Sequence, residues 1–170
     1  MLDHASQHVY EPLVVRLGEA LKAQGRMLAT AESCTGGALA EAITAIAGSS
    51  AWFDRGFVTY SNASKQELLG VRVEMLAQFG AVSEETARAM ATGALAASHA
   101  WIAVAITGIA GPDGGSEAKP VGTICFGWAM KGDGKAGKVD AETRHFNGNR
   151  TQVRAAAIEY ALNGLLLRVG

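Results

Sequence analysis

Apolar positions recur at helical spacing over residues 6–24, where Val9, Leu13, Leu17 and Leu21 fall on one side and Gly25 follows where a helix would stop. Met27 to Thr30 reads as a short strand that runs into the turn Glu32-Ser33-Cys34-Thr35-Gly36-Gly37. A second helix is predicted over about 38–47, rich in small residues (Ala38, Ala40, Ala42, Ala45, Ala47) and ended by Gly48. Phe53 to Tyr60 is the next strand. Asn62 is placed to cap a short helix through Leu69, with Gly70 as its stop.

Ser83 opens a longer helix: Ser-Glu-Glu-Thr approximates a capping box, and Ala87, Met90, Ala94 and Leu95 form the apolar face. Trp101 to Ile106 is an uninterrupted apolar run beside a glycine-rich segment, as in a strand buried on both faces. Val121 to Met130 and Val139 to Phe146 are two further strands joined by the polar stretch Lys131–Lys138, which suggests a hairpin and so an antiparallel pair. A last helix begins near Asn149 and buries Val153, Ala157 and Leu162. This alternation predicts one domain of the α/β class, a three-layer α/β/α sandwich over residues 1–170 with a mixed sheet of about five strands.

Composition narrows the function classes. Hydrophobic residues make up 49% and charged residues 18% of the 170, which describes a folded globule. Lys plus Arg number 15 against 16 Asp plus Glu, so there is no broad electrostatic case for nucleic acid or a membrane surface as partner. The polar start Met-Leu-Asp-His-Ala-Ser-Gln-His lacks the order of a signal peptide, and no apolar run is long enough to span a bilayer. The two cysteines, Cys34 and Cys125, are far apart; a reducing, cytoplasmic setting is the simpler expectation. The histidines His4, His8, His99 and His145 are scattered, so no metal site and no cofactor are expected; His4 and His8 on one helix face are read as solvated surface. A homodimer or higher homo-oligomer is the general expectation for a small α/β enzyme.

In a sheet of this type ligands bind beyond the carboxyl ends of parallel strands, and three polar or glycine-rich segments arrive there: Glu32–Gly37, Tyr60–Lys65 and Thr107–Gly115. Ser33, between a strand and a helix, is a candidate nucleophile beside free backbone N–H groups, although Ser33 or Thr35 as a plain helix cap fits the same spacing. Thr35, Gly36 and Gly37 are candidate substrate contacts, the two glycines because they permit close approach of a ligand. No histidine falls in these segments, so Lys65 is the candidate base, provided that burial or a nearby cation lowers its pKa; Tyr60 can pass a proton or align the amine. An exposed surface lysine and a core tyrosine are the bland alternatives. In the third segment Thr107, Gly108 and Gly111 can line a pocket, and a surface loop with a Pro-Asp-Gly turn fits equally. Arg150 and Arg154 open the last helix on one face against its dipole; a ligand phosphate is one partner for them, and Asp140, Glu142 or bulk solvent are the blander ones. Cys34 as nucleophile and a non-catalytic nucleotide-binding module are the rival readings.

The stretches Thr30–Gly37, Gly48-Ser-Ser-Ala-Trp-Phe53, Arg55–Asn62, Gly80-Ala-Val-Ser83, Gly108–Gly115 and Lys119-Pro-Val-Gly-Thr123 resemble the C-terminal domain family of the competence/damage-inducible protein CinA, in particular its stand-alone members. Together they span the chain from about residue 10 to residue 160; Lys131–His145 is the least matched region. The resemblance implies hydrolysis of the carboxamide of nicotinamide mononucleotide to nicotinate mononucleotide and ammonia, a metal-free step in pyridine nucleotide recycling. On matching positions it implies Ser33 as nucleophile, Lys65 as base, Tyr60 as helper, and Thr107 with the glycine loop at the substrate pocket.

Overall fold

The computed structural model describes residues 4–134 and 137–170. Met1 to Asp3 of the polar start, the side chains of His4 and His8, and Lys135 and Ala136 of the predicted hairpin join lie outside the described residues. The elements in order are helix α1 (His4–Ala23), strand β1 (Leu28–Glu32), helix α2 (Ala38–Thr44), a 3-10 turn (Ser49–Ala51), strand β2 (Phe53–Val58), helices α3 (Asn62–Leu69), α4 (Val73–Phe79) and α5 (Glu84–Ala96), strands β3 (Ile102–Gly108), β4 (Thr123–Met130) and β5 (Lys138–His145), and helix α6 (Arg150–Val169).

The strands form one sheet in the order β2-β1-β3-β4-β5. β1 runs parallel to both β2 and β3, while β4 is antiparallel to β3 and β5 to β4. Helices cover both faces, giving the α/β sandwich with a mixed five-stranded sheet that the alternation of elements predicts.

The two faces of the sheet differ in side-chain size. Leu28, Ile102, Val104, Ile106, Ile124, Phe126 and Trp128 pack with α1, α2 and α6 on one side. Their neighbours Ala29, Ala31, Ala103, Ala105 and Ala129 point to the other side, where Leu69, Leu76, Met90, Ala91 and Ala94 meet them. The period-2 alternation thus sorts large from small residues, and the small face lets α5 sit close. At Gly127 the approach is so tight that a Cβ would lie 2.3 Å from the Ala87 carbonyl oxygen.

Several boundaries and contacts differ from the sequence reading. The buried stripe of α1 is Tyr10, Val14, Leu17 and Leu21, whereas Val9 is 63% exposed and Leu13 only half-buried. α2 ends three residues short of the predicted 47, and β2 ends at Val58, so Thr59 and Tyr60 lie beyond the strand. β1 and β3 run further than predicted, which makes Glu32 and Thr107 strand residues. α4 was not anticipated: its first residue follows Arg72, which makes no side-chain cap, and only Leu76 is buried, so neither end nor face announces it. The cap of α3 is Ser61 and not Asn62, through a reciprocal box with Ser64.

This topology makes a crevice. From β1 the chain crosses through α2 to β2 on one flank, then through α3, α4 and α5 to β3 on the other. The connections therefore diverge around the carboxyl end of β1, the place where open α/β sheets take ligands.

Candidate active site

Glu32, the last residue of β1, is in register with Val58 of β2 and Ile106 of β3. The next residue, Ser33, donates its N–H to the Ile106 carbonyl at 2.9 Å, and Thr59 donates its own to the Glu32 carbonyl at 2.8 Å. Lys65 lies one turn into α3 and is 1% exposed. Its Nζ donates to Ser33 Oγ at 3.1 Å and to the Thr59 carbonyl at 2.8 Å. Burial lowers the Lys65 pKa below the usual amine value because the cation loses hydration, an effect partly opposed by Cys34. A serine hydroxyl is thus hydrogen-bonded to an amine that burial makes easier to deprotonate.

The pair opens on a pocket of about 280 Å³. Of the residues singled out from sequence, Ser33, Tyr60, Lys65, Thr107, Gly108, Gly111 and Arg150 line it. Asn62, Ala81, Val82 and Asp113 also line it and are not among the site residues named from the sequence, although all four fall within the quoted stretches. Thr35, Gly36, Gly37 and Arg154 are not on the wall, so the structure does not bring these predicted substrate contacts to the pocket.

The individual contacts refine the expected roles. Tyr60 is 64% exposed, and its hydroxyl accepts a hydrogen bond from Arg150 Nη2 at 3.2 Å; among the described residues it makes none to Ser33 or Lys65. Arg150 Nη1 donates to the Gly111 carbonyl at 2.8 Å, tying α6 to the glycine loop. Thr107 donates its hydroxyl to the Ala81 carbonyl at 2.8 Å and so holds the loop before α5 against β3. Arg154 turns away and donates through Nη2 to the Thr35 carbonyl at 2.9 Å. Neither arginine meets Asp140 or Glu142, which pair instead with Lys138 and Arg168, and with Arg144 and Tyr160.

The helix-cap reading of Ser33 and Thr35 is overturned. Gly37, the N-cap of α2, has φ 99° and no side chain. Glu32 fills the gap from outside, its carboxylate accepting the N–H of Leu39 at 2.9 Å and of Ala40 at 3.1 Å. Ser33 is therefore free to face Lys65. In the same turn Gly36 and Ala38 donate to backbone carbonyls, while the N–H groups of Cys34 and Thr35 have no backbone acceptor among the described residues.

Cys34 also borders the pocket, but burial pushes its thiol up to about 12, with the Glu32 charge adding to the effect. A thiol so held stays protonated and is a poor nucleophile at neutral pH. A larger hollow of about 540 Å³ lies between α3, α4, α5 and β5, away from Ser33, and presents mainly Leu69, Met75, Ala89 and Val139. Among the described residues no group of three or more His, Cys, Asp or Glu is placed to hold a metal ion, and no helix is long and apolar enough to cross a membrane.

The family model described as the CinA C-terminal domain matches residues 10–169. The chain is 56% identical over 154 residues to "Nicotinamide-nucleotide amidohydrolase PncC" of Enterobacter agglomerans, covering 91% of this chain and 92% of that protein. It is 56% identical over 151 residues to the protein of the same name from Escherichia coli strain K12, covering 88% of each. Among solved structures, the competence/damage inducible protein CihA of Agrobacterium tumefaciens superposes with a TM-score of 0.88 at 48% identity, covering 92% of this chain and 93% of that one.

Proposed function

Because the chain belongs to the CinA C-terminal domain family, we propose that it hydrolyses the carboxamide of nicotinamide mononucleotide, giving nicotinate mononucleotide and ammonia, with Ser33 as nucleophile and Lys65 as its base. The observation that carries this reading is the 3.1 Å contact between Lys65 Nζ and Ser33 Oγ at the edge of a pocket, with the amine desolvated. The relatives named nicotinamide-nucleotide amidohydrolase support the substrate.

An amide carbon is a weak electrophile, and a covalent route divides its hydrolysis into two smaller barriers. Neutral Lys65 takes the Ser33 proton as Oγ attacks the carboxamide carbon. The N–H of Cys34, which borders the pocket and has no backbone acceptor among the described residues, is the available donor for the resulting oxyanion. Lys65 then returns the proton to the departing nitrogen, ammonia leaves, and an ester joins Ser33 to the nicotinoyl group. Water, deprotonated by Lys65, attacks that ester; Lys65 returns the proton to Ser33 Oγ as the ester bond breaks, and the acid leaves. The Tyr60 hydroxyl accepts from Arg150 and makes no hydrogen bond to Ser33 or Lys65 among the described residues, so the route passes the proton directly between Ser33 and Lys65.

Two further features favour this substrate over a neutral amide. Asp113 is the carboxylate on the pocket wall among the described residues, and it complements the positive pyridinium ring. Arg150 at the same wall offers a cation for the 5′-phosphate, and binding energy gained there can position the amide. The test is ammonia release from nicotinamide mononucleotide by the purified protein. The wild type should release it, and Ser33→Ala and Lys65→Ala should each abolish release while remaining folded. A protein that binds the nucleotide without releasing ammonia would be a binding module, and full activity in either variant would eliminate the pair.

A further inference from the structure

The proposed route leaves a buried carboxyl side chain next to the nucleophile without a task. Glu32 is 1% exposed and is absent from the pocket wall. We propose that Glu32 is a positioning residue: its carboxylate bridges from the end of β1 to the start of α2 and so holds Ser33, and the N–H of Cys34, in the geometry that acylation requires. The proposal rests on Ser33 being the nucleophile.

The need for such a tie follows from the turn itself. After Ser33 the chain reverses through Gly36 (φ 58°) and Gly37 (φ 99°), two left-handed glycines that carry no side chain to fix the path. A capping side chain at position 37 is excluded by that backbone, so α2 has to be closed from elsewhere. The alternation of β1 sends the Glu32 side chain to the α2 face of the sheet, one residue ahead of the turn. From there its two oxygens take one N–H each, from Leu39 and Ala40. A carboxylate suits this task because it has an acceptor for each donor and nothing to present against them. Burying it is costly, which argues against an incidental placement.

The main chain of the same residue reaches the other half of the pair. The Glu32 carbonyl accepts the Thr59 N–H at 2.8 Å, and the Thr59 carbonyl accepts Lys65 Nζ at 2.8 Å. Residue 32 thus touches the turn of the nucleophile through its side chain and the support of the base through its backbone. From the opposite side Arg154 holds the Thr35 carbonyl, so the turn is gripped at both of its non-glycine ends.

Glu32→Gln tests the role, since it keeps the volume but turns an acceptor into a donor that faces an N–H. Three measurements apply: kcat and KM for nicotinamide mononucleotide, the rate at which a fluorophosphonate labels Ser33, and a thermal melt. The expected result is a fall of about tenfold to a hundredfold in kcat and in labelling rate, the size associated with a misplacement of order 1 Å, with KM within about twofold. Glu32→Asp, one methylene shorter, should show the same split. The labelling arm needs no nucleotide. A wild type that labels at Ser33 but releases no ammonia would refute the proposed substrate and leave Glu32 to be judged by labelling alone. A wild type that does not label would remove the nucleophile and this role with it. Variants that react at the wild-type rate, that lose activity only in proportion to their folded fraction, or that both fail to fold would reduce Glu32 to a stability residue and overturn the proposal.

Discussion

Lys65→Met preserves most of a buried side chain's length while removing the amine that donates to Ser33 Oγ at 3.1 Å and to the Thr59 carbonyl at 2.8 Å. On the unfavourable side, the Thr59 carbonyl loses its donor, a cost of about 1–3 kcal/mol for a buried acceptor. On the favourable side, the Lys65 pKa is lowered by burial, so the ammonium is less stable here than in the unfolded chain. Each unit of that depression is worth about 1.4 kcal/mol. The two effects have opposite sign, and the melting midpoint should stay within about 4 °C of the wild type. Ammonia release should fall by about 10²- to 10⁴-fold, the usual weight of a general base. The pH dependence separates the two contributions. Between the lowered folded pKa and the ordinary value of 10.5, the unfolded chain binds more protons, so wild-type stability rises with pH across that window. Below the folded pKa the wild type carries the full penalty, and the methionine variant lacks the slope altogether. Wild-type turnover should likewise rise as pH passes the lowered pKa, where Lys65 becomes neutral. Denaturant titrations at several pH values, paired with an ammonia assay, measure all of this. Parallel stability curves for the two proteins, or retained turnover in the variant, would refute the account of Lys65 as a desolvated base.

Cys34→Ala should keep turnover within about threefold, and the wild-type thiol should alkylate slowly at mildly alkaline pH, because burial holds it protonated up to about 12. Arg150→Ala should raise KM for nicotinamide mononucleotide by about tenfold or more, since it removes a cation from the pocket wall and frees the Gly111 carbonyl; an unchanged KM would move the phosphate elsewhere. Gly127→Ala should lower stability by about 1–3 kcal/mol in a thermal or denaturant melt, because the added methyl would meet the Ala87 carbonyl oxygen at 2.3 Å and α5 would have to shift.

Much of the architecture is legible where local chemistry is strong. The apolar run ending at Ile106 reads as a strand buried on both faces and is one, Ser83 caps the helix it precedes, and the last helix starts where it is expected, with Asn149 as its cap. α4 is illegible for the complementary reason: its only buried side chain is Leu76, so it carries no periodic signal, and its existence depends on packing against α5. The proposed pair is half visible in the sequence. Ser33, Lys65 and the glycine loop stand out as segments that follow strands. Which of their side chains meet was not readable, because Tyr60 and Thr107 could each have faced the serine and instead bond Arg150 and Ala81.

By itself, the order of apolar and polar positions determines the α/β class, and the turn chemistry after each strand marks the segments that can carry a site. These are local properties, set by the spacing of residues a few positions apart. The contact of Ser33 with Lys65 spans 32 residues, the Arg154 tie to Thr35 spans 119, and the link from Arg150 to Gly111 spans 39. Such contacts exist only because β1 lies between β2 and β3, which gathers three strand ends at one edge. The same gathering buries Lys65 and Glu32, so the low basicity of the one and the bridging role proposed for the other are properties of the folded environment, which residue type alone does not carry.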